Sequence, residues 1–226
     1  MKRLIFTLGL ALTAALAQAG ALDAVSTGDA AAGVKEALAK GADYAVSSLG
    51  TPNGFLGNGK VRIPLPGALQ KAESALRMLG MGQQADQLIE TMNHAAENAV
   101  AEARPILADS IRKMTVKDAK GILTGGDDSV TQYFKRTSTE QLTVKFKPIV
   151  KASTQKLQLA DQYNKVAGKA ASAGLIDAKD ADIDSYVTQK AMDGLFLMIA
   201  EEEKKLRSNP LAAGSAVLQK VFGALR

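Results

Sequence analysis

The sequence predicts an all-α fold, a single bundle of about seven to nine helices, on three observations. Apolar residues recur at spacings of three and four over long stretches, and proline, glycine and capping signals punctuate them. The one stretch without that period, residues 50–66, is rich in glycine and proline and reads as a structured loop or a small β-ribbon. Val61-Arg62-Ile63 is its only strand-like alternation, and Ile63-Pro64-Leu65-Pro66 is stiff and non-helical.

Residues 1–19 stand apart from the fold. Lys2 and Arg3 precede an apolar run, and Ala17-Gln18-Ala19 supplies the small residues that signal peptidase reads, so the cut is expected before Gly20. Residues 20–226 then form one helical domain, expected to be exported to the periplasm, soluble, and without a lipid anchor because the chain has no cysteine. No later segment reaches 18 uninterrupted apolar residues, so no integral membrane segment remains after cleavage. The formal charge of +5 falls to +3 without Lys2 and Arg3, and aromatics make up only 4%. A nucleic-acid binder would need a basic stripe and stacking rings, so nucleic acid is excluded as a partner.

The elements follow in order. Val34, Leu38, Ala42, Ala45, Val46 and Leu49 form one stripe over residues 29–49, ended by the turn 50–54. Pro66 starts a helix carrying Leu69, Ala72, Leu76 and Leu79 on its inner face, stopped by Gly80 and Gly82. Over residues 83–104 the stripe is Ala85, Leu88, Met92, Ala95, Ala96, Ala99 and Ala103, small enough to let another helix approach closely. Pro105 kinks it or starts a new segment through Ile106, Leu107, Ile111 and Met114. Thr115-Val116-Lys117-Asp118 is a capping box for a short helix ending near Leu123, and Asp127 or Asp128 caps another through Tyr133 and Phe134.

Ser138-Thr139-Glu140-Gln141 reads as a second capping box. It opens a helix with Leu142, Phe146, Ile149, Val150, Leu157 and Ala160, bent or restarted at Pro148. After a turn at 174–177, a helix with acidic residues Asp180, Asp182 and Asp184 in its first turn buries Ile183, Tyr186, Val187, Leu195, Met198 and Ile199. Asn209-Pro210 stops it. Val217, Leu218, Val221, Phe222 and Leu225 form a last amphipathic helix, suited to core packing or to peripheral membrane contact.

Few motifs carry chemistry. Residues 54–60 have the G-x-x-x-x-G-K spacing of a phosphate loop, but Val61 stands where a hydroxyl is needed and no buried strand precedes, so they read as a turn. Asp180, Asp182 and Asp184 start like a calcium loop, but Ser185 and Ala191 occupy its glycine and glutamate positions, which leaves a helix N-terminus. His94 has no cysteine or second histidine to share a metal, and no G-x-S-x-G elbow exists, so a surface role is expected and neither metal nor cofactor. Glu201–Lys205 and Glu203–Arg207 read as surface ion pairs. Asp86, Glu90, Asn93, Glu97 and Arg104 share one helix face, which reads either as a solvated face or, where Glu97 and Asn93 meet the 125–131 turn, as the wall of a ligand pocket.

Gly54-Phe55, Ile63-Pro64-Leu65-Pro66 and Asn93-His94-Ala95-Ala96-Glu97 resemble successive motifs of an exported bacterial family. So do Met114-Thr115 with Asp118-Ala119, Thr131-Gln132-Tyr133-Phe134, Asp193-Gly194-Leu195-Phe196, and Glu203 with the segment Arg207-Ser208-Asn209-Pro210. The family is domain-of-unknown-function family 4197, and the resemblance covers nearly the whole mature chain. It departs at His94, where a basic residue is expected, and at Val130, where alanine is usual. The resemblance implies an exported, mainly helical domain with no assigned activity. It draws attention to Asn93, Glu97, Asp118, Thr131, Tyr133 and Arg207 as candidate ligand-binding positions, to which the 125–131 turn adds Asp127.

With no complete catalytic constellation, the expected function is non-enzymatic binding of a small molecule or an envelope protein. The alternative is a carboxylate-dependent hydrolase or lyase with Glu97 as base, assisted by Asp118 or Asp127.

Overall fold

The computed structural model describes residues 27–174 and 181–209, with 215, 216, 219 and 221 beyond them. The signal segment, the 174–177 turn past Gly174, Asp180 and most of the last helix lie outside the described residues. Among those described there are eight helices and no strand: α1 Thr27–Leu49, α2 Gly67–Met78, α3 Gly82–Ala101, α4 Arg104–Arg112, α5 Val116–Thr124, α6 Ser129–Thr154, α7 Gln158–Ser172 and α8 Ile183–Ser208. The fold is an all-α bundle.

Helices α1, α3, α6 and α8 pack on one another as the centre. The short α4 and α5 lean on α1 and α6, α2 lies on α3, and α7 touches α3 and α8. The predicted stripes are the buried ones. Ala85, Leu88, Met92, Ala95, Ala96, Ala99 and Ala103 are fully buried, as are Leu38, Leu142, Phe146, Ile183, Leu195 and Ile199. Small residues bring backbones together where α1 ends: a Cβ on Gly50 would stand 2.9 Å from Ala101 Cα. No helix among the described residues is long and apolar enough to cross a membrane.

Four local expectations are corrected. The β-ribbon does not form, because the 50–66 segment turns repeatedly, with Gly57 N–H bonded to Asn53 O and Val61 and Arg62 N–H to Asn58 O. The Ser138 box is no helix start: α6 runs unbroken from Ser129 to Thr154, Ser138 is fully buried, and its hydroxyl meets Ser110 Oγ at 2.9 Å. That helix also passes through Pro148 and breaks instead at residues 155–157. A proline removes only one backbone bond, and the helix continues through it between the buried Phe146 and Val150. Leu79, expected inside, is 76% exposed beside Met78, because Gly80 turns the chain at φ +77° before the stripe is completed.

The starts of α4, α5 and α8 stand as read. Thr115 and Asp118 form the reciprocal capping box of α5, and proline sits in the first turn of α4. Asp182 caps α8 by accepting from Ser185 N–H, and Asp184 accepts from Thr154 Oγ1, so these carboxylates serve a helix N-terminus.

Candidate functional site

The turn between α5 and α6 leaves two sets of backbone groups without helical partners: carbonyls ending α5 and N–H groups opening α6. Neither Asp127 nor Asp128 meets them. Asp127 is exposed, and Asp128 occupies the cap position without a side-chain bond to the backbone. Glu203, reaching across from α8, accepts from Val130 N–H at 2.8 Å and Thr131 N–H at 3.0 Å, and from Thr131 Oγ1 at 3.1 Å. Arg207, one turn on, donates to Ile122 O at 3.0 Å, to Ser129 Oγ at 2.6 Å, and to Glu203 at 3.0 Å. An anion thus lies at the positive end of α6 and a cation at the negative end of α5, each where the helix dipole favours it. The Glu203 and Arg207 side chains are only 2% and 12% exposed, so this pair is buried and not the surface pair expected. The anion at the α6 N-terminus is the protein's own carboxylate.

Asn93 and Glu97 do the same for the 50–66 loop. Asn93 Oδ1 accepts from Ile63 N–H at 2.8 Å while its Nδ2 donates to Ile63 O at 2.9 Å, pairing with that residue as a neighbouring strand would. Glu97 Oε1 accepts from Phe55 N–H at 3.0 Å and Leu56 N–H at 3.1 Å. Its other oxygen lies 2.7 Å from Nδ1 of His94, whose side chain is 40% exposed and has Glu90 3.7 Å away on its far side. Hydrogen bonds to an ionised group contribute about 1.5–3 kcal/mol each, so Glu97 is a strong anchor of the loop on α3. Lys60, the lysine of the phosphate-loop spacing, is paired with Glu201 at 2.7 Å.

The open concavity lies elsewhere, between α5 and α6. It is a groove of about 620 Å³ lined by Lys117, Asp118, Gly121, Gly126, Gln132 and Arg136, with Tyr133 and Asp128 in its wall. Asp118 accepts from Thr115 Oγ1 and N–H and from Arg136 at 3.1 Å; the Thr115 hydroxyl above all holds its carboxyl below the usual range. The Arg136 guanidinium lies over the Tyr133 ring, 5.4 Å from its centre. Tyr133 itself is buried, and its hydroxyl donates to Ser110 O at 2.7 Å. Burial, with the nearby Asp118 charge, pushes that hydroxyl's pKa up. Glu203 and Arg207 stand behind the groove, since Ile122 and Ser129 also line it.

The structure therefore divides the candidate residues into three groups. Asn93 and Glu97 meet at the 50–66 loop, Thr131 and Arg207 meet at Glu203, and Asp118 and Tyr133 meet in the groove. No hydrogen bond or ion pair joins Glu97 to Asp118 or Asp127 among the described residues. Sequence reasoning passed over Arg136, Lys117 and Gly121. The available signal was their register: Lys117 and Gly121 are four residues apart on α5, and Gln132 and Arg136 four apart on α6, so each pair shares a face. Among the described residues no cluster of three histidine, cysteine, aspartate or glutamate side chains is arranged to hold a metal ion.

Fold and site together define a helical-bundle protein with internally capped loops and an open polar groove between α5 and α6. The chain belongs to the family described as "Protein of unknown function (DUF4197)", which matches residues 24–223. Comparison with curated proteins and with solved structures gives no match.

Proposed function

We propose that the chain is an exported, periplasmic, non-enzymatic binding protein whose ligand, a small molecule or a segment of an envelope partner, sits in the α5–α6 groove. The observation that carries this reading is the groove itself. Its volume of about 620 Å³ falls within the range of ligand sites, roughly 300–1,000 Å³, and charged groups of both signs line it. Export is supported by residues 1–19 alone. The carboxylate-enzyme alternative needs two groups converging on one substrate proton. Glu97 is instead engaged by Phe55, Leu56 and His94, and Asp118 by Thr115 and Arg136, which favours binding over catalysis.

A thermal-shift screen of the mature protein with amino acids, short peptides, sugars and cell-wall fragments is expected to raise Tm for at least one compound. Gly121→Leu, which fills the groove from an exposed helix position, should remove that rise. A screen with no stabilising compound, or a shift that survives Gly121→Leu, would rule the groove out. Cell fractionation should place the protein, lacking residues 1–19, in the periplasm; a cytosolic product would defeat the export proposal.

A further inference from the structure

The groove contains a glycine that folding does not explain. Gly121 lies in the middle of α5, where glycine is about 0.5–1 kcal/mol less stable than alanine. A Cβ there would meet nothing within 4 Å, so no neighbour among the described residues requires its absence. Gly168 in α7 is equally open, but Gly121 lines the groove. At Gly126, across the groove, a Cβ would touch only Asp128 Oδ1, at 3.8 Å. Two bare stretches of backbone thus face the same space, where another chain could approach closely.

The charges limit what that chain carries. Arg136 uses one Nη2 bond to Asp118 and its Tyr133 contact to fix the plane of its guanidinium, leaving Nε and Nη1 without a partner among the described residues. Lys117 likewise meets no acceptor there. Asp118 has both oxygens engaged, whereas Asp128 accepts only from Gln132, through Oδ2. Two cations and two carboxylates leave the lining neutral, so it offers a doubly charged phosphate no net charge to balance it. A single carboxylate suits the guanidinium that Asp118 and Tyr133 hold in place, accepting from its free Nη1 or Nε and from Lys117, with a hydrogen-bond donor further along for Asp128.

We propose that the groove binds a short peptide by its free C-terminal carboxylate, held by Arg136 and Lys117, with a peptide or terminal N–H donated to Asp128 and the peptide backbone lying along Gly121 and Gly126. This rests on the groove being the ligand site. Isothermal titration calorimetry on the mature protein tests it with trialanine, trialanine amide and inorganic phosphate. Trialanine is expected to bind, and its amide at least tenfold more weakly. Arg136→Ala should lose tenfold or more, Arg136→Lys should recover only part of that, and Gly121→Leu should abolish binding, each with an unchanged circular dichroism spectrum.

Several results would overturn it: no trialanine binding, equal affinity for acid and amide, indifference to Arg136→Ala, or phosphate binding as tightly as the peptide. Should another compound bind and be expelled by Gly121→Leu while trialanine does not, the groove stands and the peptide falls. Should Gly121→Leu disturb no ligand, both fall.

Discussion

One glycine can be neutral space or a fitted contact, and the bundle contains both kinds. Gly194 in α8 faces Phe55: a Cβ there would stand 2.6 Å from Phe55 Cε1, 3.0 Å from its Cζ and 3.3 Å from Val61 Cβ. Phe55 is fully buried and its N–H is fixed by Glu97, so the ring cannot swing away. Gly194→Ala gains helix propensity of up to about 1 kcal/mol but overpacks the core, which costs about 1–3 kcal/mol. A net loss of up to about 2 kcal/mol is expected, against a gain of about 0.5–1 kcal/mol for Gly121→Ala. Urea unfolding of the two variants checks it, and stabilisation by Gly194→Ala would show that the loop yields. The Gly54-Phe55 and Asp193-Gly194 motifs, which the sequence offers as separate signatures, are thus two sides of one contact. Period could not show this, because the partners lie about 140 residues apart.

Among the elements, the helices were legible and their joints were not. Alanine and leucine stripes mark α1, α3 and α8 because burial of one helix face is written into local spacing. Asn93, Glu97 and Glu203 occupy helical positions that local reading assigns to solvent or to a pocket. They are buried because each meets backbone groups of a distant turn. The same long-range capping explains why the Asp128 side chain makes no bond to the backbone of α6 although the residue stands at its cap position. Glu203→Gln keeps the shape but removes the charge opposing buried Arg207, and one amide cannot replace an acceptor of bonds on both oxygens. Loss of one partner from a buried pair costs about 3–5 kcal/mol, so the urea midpoint should fall steeply. Hydrogen exchange should speed up first at Val130 and Thr131, whose N–H groups the carboxylate holds. Uniform exchange with under about 1 kcal/mol of loss would mean that the α5–α6 corner holds itself.

For the molecule as a whole, acid reports how much of its surface order depends on paired carboxylates. Asp86 is held below its usual range by Arg77, Asp109 by Lys113 and then Arg112, and Asp118 by Thr115 and then Arg136. A carboxylate with a depressed folded-state pKa favours the folded form above its unfolded value near 3.8, and that contribution disappears as pH falls through the folded value. Asp86 is exposed and Asp109 and Asp118 are half-buried at the surface, so each contributes little and salt weakens the ion-pair part. Wild type should therefore lose stability gradually below about pH 4 instead of collapsing at one step. Asp118→Asn isolates one term: above about pH 4 the variant should be less stable than wild type, and the gap should close as pH falls toward 2. Denaturant midpoints over that range, at low and high salt, measure the gap. Thr115 supplies the main stabilising bonds, so the gap should persist in high salt, reduced only by the Arg136 share. A gap that widens in acid would reverse the sign, and one that vanishes in salt would transfer the effect from the capping box to the ion pair across the groove.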